Sequence, residues 1–415
     1  MRVHSSVLLF GLAESITALG NWVTQMAVFS LVVFRGGGTV EHSTGILLAS
    51  LVPAGLVSPL AGNLCDKLDR RALLVVAYGL SSLAVVGLVG ASKLSHVYLW
   101  LATLGALSSI MIPARQAALR DILAQEELAK SNAFLQQLAS VVKIVGPLGG
   151  GLLLFHVEPQ LAMLLNVAAY LLGIVALLRL PPSPPRDARS SKSRSQAESC
   201  RDRSLVPIQR VYRDFPLIRT LTPVVLCLAA TMMVFDATTS IIVRDMLQAK
   251  EGFLGVLVSL IGLGTLISST GLALRKHEGN PWHDLIRGQV LLLAIPISVV
   301  VVPYVAPGTG RIMVGVLCFI GGLGNGLAIV QTLTLLQLVA PEGAVGRISG
   351  IYQGAIAVSQ LVAAVLTPFL ASSYLSLPAI FGVLTVVMIF LMVRTWLSTR
   401  RAVSPWGMAK FGTTD

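Results

Sequence analysis

Charged residues are scarce in this chain, and acidic residues are scarcer than basic ones. Only 12% of its 415 residues are charged, with 19 Asp and Glu against 31 Lys and Arg, whereas soluble domains carry about 25%. The sequence has no P-loop, no Gly-x-Ser-x-Gly turn and no metal-spaced cluster of acids, so we expect no enzyme and no cofactor. Cysteines are few and have no metal-like spacing, so we expect free thiols and no metal site at Cys65, Cys200, Cys227 and Cys318.

Long apolar runs fill most of the chain. Hydrophobic residues make up 54% of it and the mean hydropathy is +0.80, while a bilayer needs about 20 apolar residues per helix. We therefore predict an all-α membrane protein with twelve transmembrane helices, at residues 7–34, 44–62, 72–91, 97–118, 133–155, 160–179, 218–243, 253–274, 285–306, 311–339, 349–371 and 376–397. The first run is interrupted and lacks a small-residue cleavage site, which indicates a helix of the mature protein and not a signal peptide.

Basic residues are distributed unevenly between the predicted loops. If both termini are cytoplasmic, the outer loops contain only five of the 31 Lys and Arg, namely Arg35, Lys93, Arg244, Lys250 and Arg311. This asymmetry follows the positive-inside rule, so the net charge of +12 indicates topology and not nucleic-acid binding. We expect a multi-pass protein of a bacterial-type inner membrane, with both termini in the cytoplasm.

One change in composition divides the chain into two halves. Residues 181–216 are rich in Ser, Arg and Pro and poor in large apolar residues, which predicts a mostly disordered cytoplasmic linker. Six spans precede it in residues 1–180, and six follow in residues 217–397, before a cytoplasmic tail at 398–415. Residues 21–25 align weakly with 236–240. Such repeats predict two pseudo-symmetric six-helix bundles with a substrate site at the midplane.

A charged turn separates the second and third spans. Residues 62–71 read GNLCDKLDRR, which fits G-x-L-x-D-[KR]-x-x-R-[KR]. Charges between two spans must lie at a membrane surface. The motif resembles the loop between helices 2 and 3 of the major facilitator superfamily of secondary transporters. A plain positive-inside anchor is the alternative interpretation of its basic residues.

The resemblance implies a role for this turn as a latch between the cytoplasmic ends of the helices. Asp66 and Arg70 would belong to a charge cluster, with Asp121 as the partner of Arg70. The N-terminus of span 11 offers a partial positive charge to Asp66. The predicted latch comprises Gly62, Asp66, Arg70, Arg71, Arg115 and Asp121.

Span 5 contains a second motif, GPLGGG, at residues 146–151. Proline removes a backbone hydrogen bond and glycine permits close helix approach, so a structural kink is one interpretation. Exporters of the superfamily carry GPxxGG here, so Gly146, Pro147 and Gly150 also favour export. With Gly20-Asn21-Trp22 and Pro113-Ala114-Arg115-Gln116, the series resembles the branch of macrolide efflux pumps and enterobactin exporters.

Ionisable groups inside the spans are candidates for function, because a charge at the bilayer centre costs at least about 2.5–3.5 kcal/mol. One polar stripe on span 1 consists of Glu14, Thr17, Asn21 and Gln25. Lys143 lies in span 5 and Asp236 in span 7, and with Glu14 they predict a buried triad. A proton that neutralises either acid would free Lys143. Interhelical hydrogen bonds and a structural salt bridge are the alternatives.

These patterns predict a secondary active transporter that works by alternating access. We expect it to export an amphipathic small molecule (drug, macrolide or siderophore) in exchange for protons, as a monomer in membrane lipid. One alternative is a lysophospholipid or other lipid transporter of the same fold. Another is a non-transporting receptor or scaffold, which the ionisable residues in the spans disfavour. Candidate cavity-lining amides, with helix packing as the alternative, are Gln136, Asn325, Gln353 and Gln360.

Overall fold

A computed structural model describes residues 5–122, 125–179, 216–275, 280–339, 345–373 and 375–406, and these residues contain no β-strand. Their helices are α1 (Ser5–Phe29), α2 (Val40–Lys67), α3 (Arg70–Val89), α4 (Leu94–Ile122), α5 (Gln125–Leu153), α6 (Pro159–Leu178), α7 (Pro216–Ile241), α8 (Gly252–Ala273), α9 (Pro281–Leu292), α10 (Ala294–Val301), α11 (Pro307–Val339), α12 (Val345–Ser373) and α13 (Leu377–Trp406). Single π-helical turns extend α1 and α7, at Ser30–Arg35 and Ile242–Met246. The predicted linker falls almost entirely outside the described residues.

The described helices include eleven segments that are long and apolar enough to cross a membrane. One of them, Pro281–Tyr304, combines α9 and α10. The remaining predicted span, at residues 133–155, corresponds to α5, which is 29 residues long and ends at Leu153. The predicted all-α membrane fold is therefore confirmed.

The first of two compact units contains α1 to α6 together with Thr239–Ser259, which is the end of α7 and the start of α8. Within it α2 packs along α4, α3 contacts α4 and α6, and α1 contacts α5 and α6. A Cβ atom on Gly105 of α4 would lie 2.1 Å from the carbonyl oxygen of Ser50 in α2. Such close approach suits a membrane, where packing and not hydrophobic burial brings helices together.

The second unit contains the earlier part of α7 and the rest of the chain after the start of α8. Here α9 packs along α11, and α10 contacts α11 and α13. The hydroxyl of Thr231 in α7 lies 3.6 Å from the sulfur of Met388 in α13. The rings of Phe235 and Phe381 meet edge to face with centroids 6.3 Å apart, so α7 packs against α13 through buried side chains.

Candidate functional site

An ion pair joins α1 to α4 inside the first unit. The Nη1 atom of Arg115 donates to Oε1 of Glu14 at 2.8 Å, with 19% of the arginine and 34% of the glutamate side chain exposed. The Arg115 guanidinium also lies over Tyr78, 5.8 Å from the ring centroid, where cation–π attraction stabilises it. The sequence placed Arg115 in the latch and Glu14 beside Lys143. The structure brings these two side chains together where α1 and α4 meet, and the predicted roles of both residues stay predictions.

Neutral polar groups continue along α1 towards α6. The hydroxyl of Tyr170 donates to Oδ1 of Asn21 at 2.8 Å, and Nδ2 of Asn166 donates to the same atom at 3.2 Å and to Oγ1 of Thr24 at 2.8 Å. Gln25 is half-buried and forms no hydrogen bond with a described residue. Sequence reasoning missed Asn166 and Tyr170, although two polar residues one turn apart in an apolar span are a detectable signal.

The other two members of the predicted triad are both exposed. Lys143 forms no ion pair with Glu14 or with any other described residue, and the face of α5 that carries Gln136 and Ala139 is exposed with it. The prediction that Lys143 is buried is corrected accordingly. Asp236 is exposed although its chain neighbours are buried, and no described basic side chain pairs with it. The functional roles of Lys143 and Asp236 stay predictions.

Two described side chains of the charged turn, residues 62–71, bind to helix ends. Asp69 accepts a hydrogen bond from the backbone amide of Ala72 at 2.8 Å and so caps the N-terminus of α3. Arg71 donates to the carbonyl oxygen of Leu178, the last residue of α6, at 2.5 Å. Arg70 is buried. The latch stays a prediction, because the described side chains do not include those of Gly62, Asp66 and Asp121.

The glycine-rich face of α5 lies between α1 and the start of α8. A Cβ atom on Gly146 would come within 2.5 Å of Cδ1 of Trp22 in α1, and Gly150 packs on the same helix. On the other side, a Cβ atom on Gly255 of α8 would lie 2.1 Å from the carbonyl oxygen of Pro147. These distances support the interpretation that the motif permits close helix approach.

Polar side chains in Thr239–Ser259 contact the end of α1 and the connection that follows it. Arg35 forms an ion pair with Glu158 and a second one with Glu251, whose Oε1 lies 3.4 Å from Nη2. The other carboxylate oxygen of Glu251 accepts a hydrogen bond from Ser30 at 2.8 Å. Arg244 donates to two backbone carbonyl oxygens of the connection between α1 and α2. From sequence, Arg35 and Arg244 were expected only to be basic residues of outer loops.

Comparisons with known proteins agree with a transporter fold. Residues 10–364 match the sequence profile of the Major Facilitator Superfamily. An uncharacterized MFS-type transporter of Bacillus subtilis, YfiS, is 22% identical over 355 residues, covering 84% of this chain and 83% of the relative. The enterobactin exporter EntS of Shigella flexneri is 24% identical over 403 residues, covering 92% and 88%.

Solved structures show the same fold at low sequence identity. The nucleoside transporter NupG superposes with a TM-score of 0.72 at 10% identity, covering 95% of this chain and 99% of that structure. A POT family transporter in complex with a conjugated peptide gives 0.71 at 10% identity, with coverages of 95% and 96%. The chain belongs to the Major Facilitator Superfamily and is a multi-pass membrane transporter, not an enzyme.

Proposed function

We propose that this transporter exports an amphipathic small molecule across the inner membrane in exchange for protons. It would work by alternating access, as a monomer with both termini in the cytoplasm. The enterobactin exporters, which are 24% identical to this chain, support the outward direction. The GPxxGG pattern of α5, with Gly146, Pro147 and Gly150, supports it as well.

The observation that carries the proposal is the ion pair between Glu14 and Arg115 in membrane-spanning helices. Charged groups in such helices are costly unless they neutralise each other. A proton on Glu14 removes the negative charge and leaves Arg115 with the face of Tyr78 and the sulfur of Met111. The contact between α1 and α4 therefore depends on protonation, which is what coupling to a proton gradient requires.

Asp236 is the second proton carrier in this proposal. It is a carboxylate in a membrane-spanning helix, and no described base neutralises it, so proton exchange is its expected chemistry. Lys143, Asn21 and Gln25 would contact polar parts of the cargo. In the inward-closed state the charged turn would act as the latch, and the latch residues would be Gly62, Asp66, Arg70, Arg71, Arg115 and Asp121.

Proton-driven export in proteoliposomes tests the proposal, with enterobactin and erythromycin as cargo. We expect Glu14→Gln or Asp236→Asn to abolish the acceleration by an imposed pH gradient, because neither amide can release a proton. Glu41→Gln is the matched control, since Glu41 is an exposed acid at the start of α2. If both test variants keep the wild-type response to the gradient, the assigned proton carriers are incorrect.

A lipid transporter of the same fold is the second candidate function, and one cavity favours it. In the second unit α7, α12 and α13 border a cleft of about 620 Å³ with apolar walls that include Leu226, Val358 and Leu384. An acyl chain would fit such a cleft. Proteoliposomes that move a fluorescent lysophospholipid but neither enterobactin nor erythromycin would favour the lipid cargo.

A further inference from the structure

A second cavity, of about 370 Å³, lies within the second unit between α7, α11 and α12. Its volume falls in the range of drug-sized ligand pockets. It differs from the apolar cleft because amide side chains line one of its walls. Nothing in the ion pair or in the proton step of the proposed function uses these amides.

The polar wall consists of two stripes on neighbouring helices. Gln353 and Gln360 of α12 are two helical turns apart and therefore share one face. Asn325 and Thr332 of α11 have the same spacing and line the same cavity. Each of the two helices therefore presents two hydrogen-bonding groups to the pocket.

Two of these amides are not engaged by the protein. Gln353 and Gln360 form no hydrogen bond with any residue that the structure describes, whereas Asn325 donates to Oγ1 of Thr265 at 3.3 Å. A primary amide offers two donors and one acceptor. Gln353 is exposed and Gln360 is half-buried, so a ligand in the pocket can form hydrogen bonds with both amides in place of water.

The lining that α7 contributes is apolar and includes Val225, Leu228 and Met232. Ile356 adds an apolar side chain between the two glutamines of α12. None of the residues lining the pocket is charged. A charged ligand group would lose its hydration here without gaining a counter-ion.

We propose that this pocket, the amide pocket, binds an uncharged part of the exported molecule, through Gln353 and Gln360. That part carries hydroxyl, carbonyl or amide groups on one edge and an apolar surface on the other. The inference rests on the proposed export function and names the chemical class of its cargo. It separates neutral amphipathic molecules, which the pocket accepts, from permanent cations, which it does not.

Direct binding to the purified protein in lipid nanodiscs tests the assignment without requiring transport. Chloramphenicol serves as the probe, because it is uncharged and presents an amide and two hydroxyls beside an aromatic ring, and equilibrium dialysis measures its Kd. We expect Gln353→Leu and Gln360→Leu each to weaken binding about tenfold, the effect of losing one satisfied hydrogen bond. Ile356→Trp fills the pocket and is expected to abolish binding while leaving both amides in place.

Two further variants make the test specific. Gln160→Leu removes an exposed amide of α6 in the first unit and is expected to leave Kd unchanged. Gln360→Glu places a carboxylate in the pocket and is expected to admit ethidium, a permanent cation that the wild type does not bind. The assignment is overturned if chloramphenicol shows no saturable binding to the wild type. It is equally overturned if the pocket variants bind as the wild type does.

Failure of the export proposal gives a different result. In that case chloramphenicol binds and the glutamine variants weaken it, but an imposed pH gradient drives no export in proteoliposomes. If only the pocket assignment is wrong, an imposed pH gradient still drives export. The glutamine substitutions then leave the KM of export unchanged.

Discussion

Arg115 of α4 contacts side chains of two other helices in the first unit. It binds Glu14 of α1 and lies over Tyr78 of α3. Tyr78 in turn meets Tyr170 of α6 edge to face, with centroids 5.6 Å apart. A guanidinium suits this place because its edge can donate to a carboxylate while its face covers a ring, which a lysine ammonium cannot do.

We predict that Arg115→Gln lowers the free energy of unfolding by about 1.5–3 kcal/mol, the usual value of a hydrogen bond to a charged group. The loss arises because Glu14 keeps its charge without a partner. Thermal unfolding in detergent measures it, and the double variant with Glu14→Gln isolates the pair. Strictly additive effects of the two substitutions would show that the ion pair contributes nothing.

The identity of Glu14 as a special residue was predictable, but its partner was not. Polar groups in an apolar span are visible in sequence because their burial is costly, and spacing assigns them to one helix face. Spacing carries no information about which helix lies opposite that face. For this reason Lys143 was expected as the partner, whereas the structure supplies Arg115 from α4.

Glycines of α5 permit close contact with the start of α8. Gly151 faces α8, where its added Cβ would lie 2.7 Å from the carbonyl oxygen of Gly252, and Gly255 faces back towards Pro147. Gly149 on the same helix has open space around it. One α5 segment therefore contains both a contact glycine and a matched control.

We predict that Gly255→Val prevents the start of α8 from approaching α5 and destabilises the protein by about 1–3 kcal/mol, as overpacking does. Gly151→Val acts on the same contact from the other side. Gly149→Val is expected to change neither thermal unfolding nor export rate. Equal effects of the three substitutions would mean that helix propensity, and not close approach, explains the motif.

Hydropathy predicted where the spans lie better than it predicted whether a span is one continuous helix. The span predicted at residues 7–34 matches the apolar segment Val7–Arg35. The ninth span was predicted as one helix, but α9 ends at Leu292 and α10 begins at Ala294. Pro296 lies in the first turn of α10 and has no amide hydrogen to donate to Leu292, so the interruption has a local cause that the proline already indicates.

For the molecule as a whole, the spans can be predicted from hydropathy, because the bilayer imposes a minimum length on every span. The division into two halves of six spans stays a prediction from the linker composition. In the structure, the contacts assign Thr239–Ser259 to the first unit. That assignment depends on contacts such as those of Glu251 with Ser30 and Arg35. These residues are far apart in sequence, so hydropathy does not predict their contact.

These contacts of Thr239–Ser259 bear directly on alternating access. If the proposed mechanism holds, they form in one state and break in the other, so weakening them shifts the population of states. Glu251 is the suitable target because one carboxylate contacts both Ser30 and Arg35. Val33, in the same region, is completely buried. A cysteine substituted for it is expected to react only when the contacts open.

We predict that Glu251→Gln increases the labelling rate of a cysteine at Val33→Cys by up to about fivefold, because a partly exposed ion pair contributes up to about 1 kcal/mol. The four native cysteines are first replaced, and a membrane-impermeant maleimide is added to intact cells. Glu41→Gln, at an exposed acid of α2, should leave the rate unchanged. An unaltered rate in Glu251→Gln would mean that the cluster does not control opening. Labelling only in inverted vesicles would reverse the predicted topology, because the end of α1 would then face the cytoplasm.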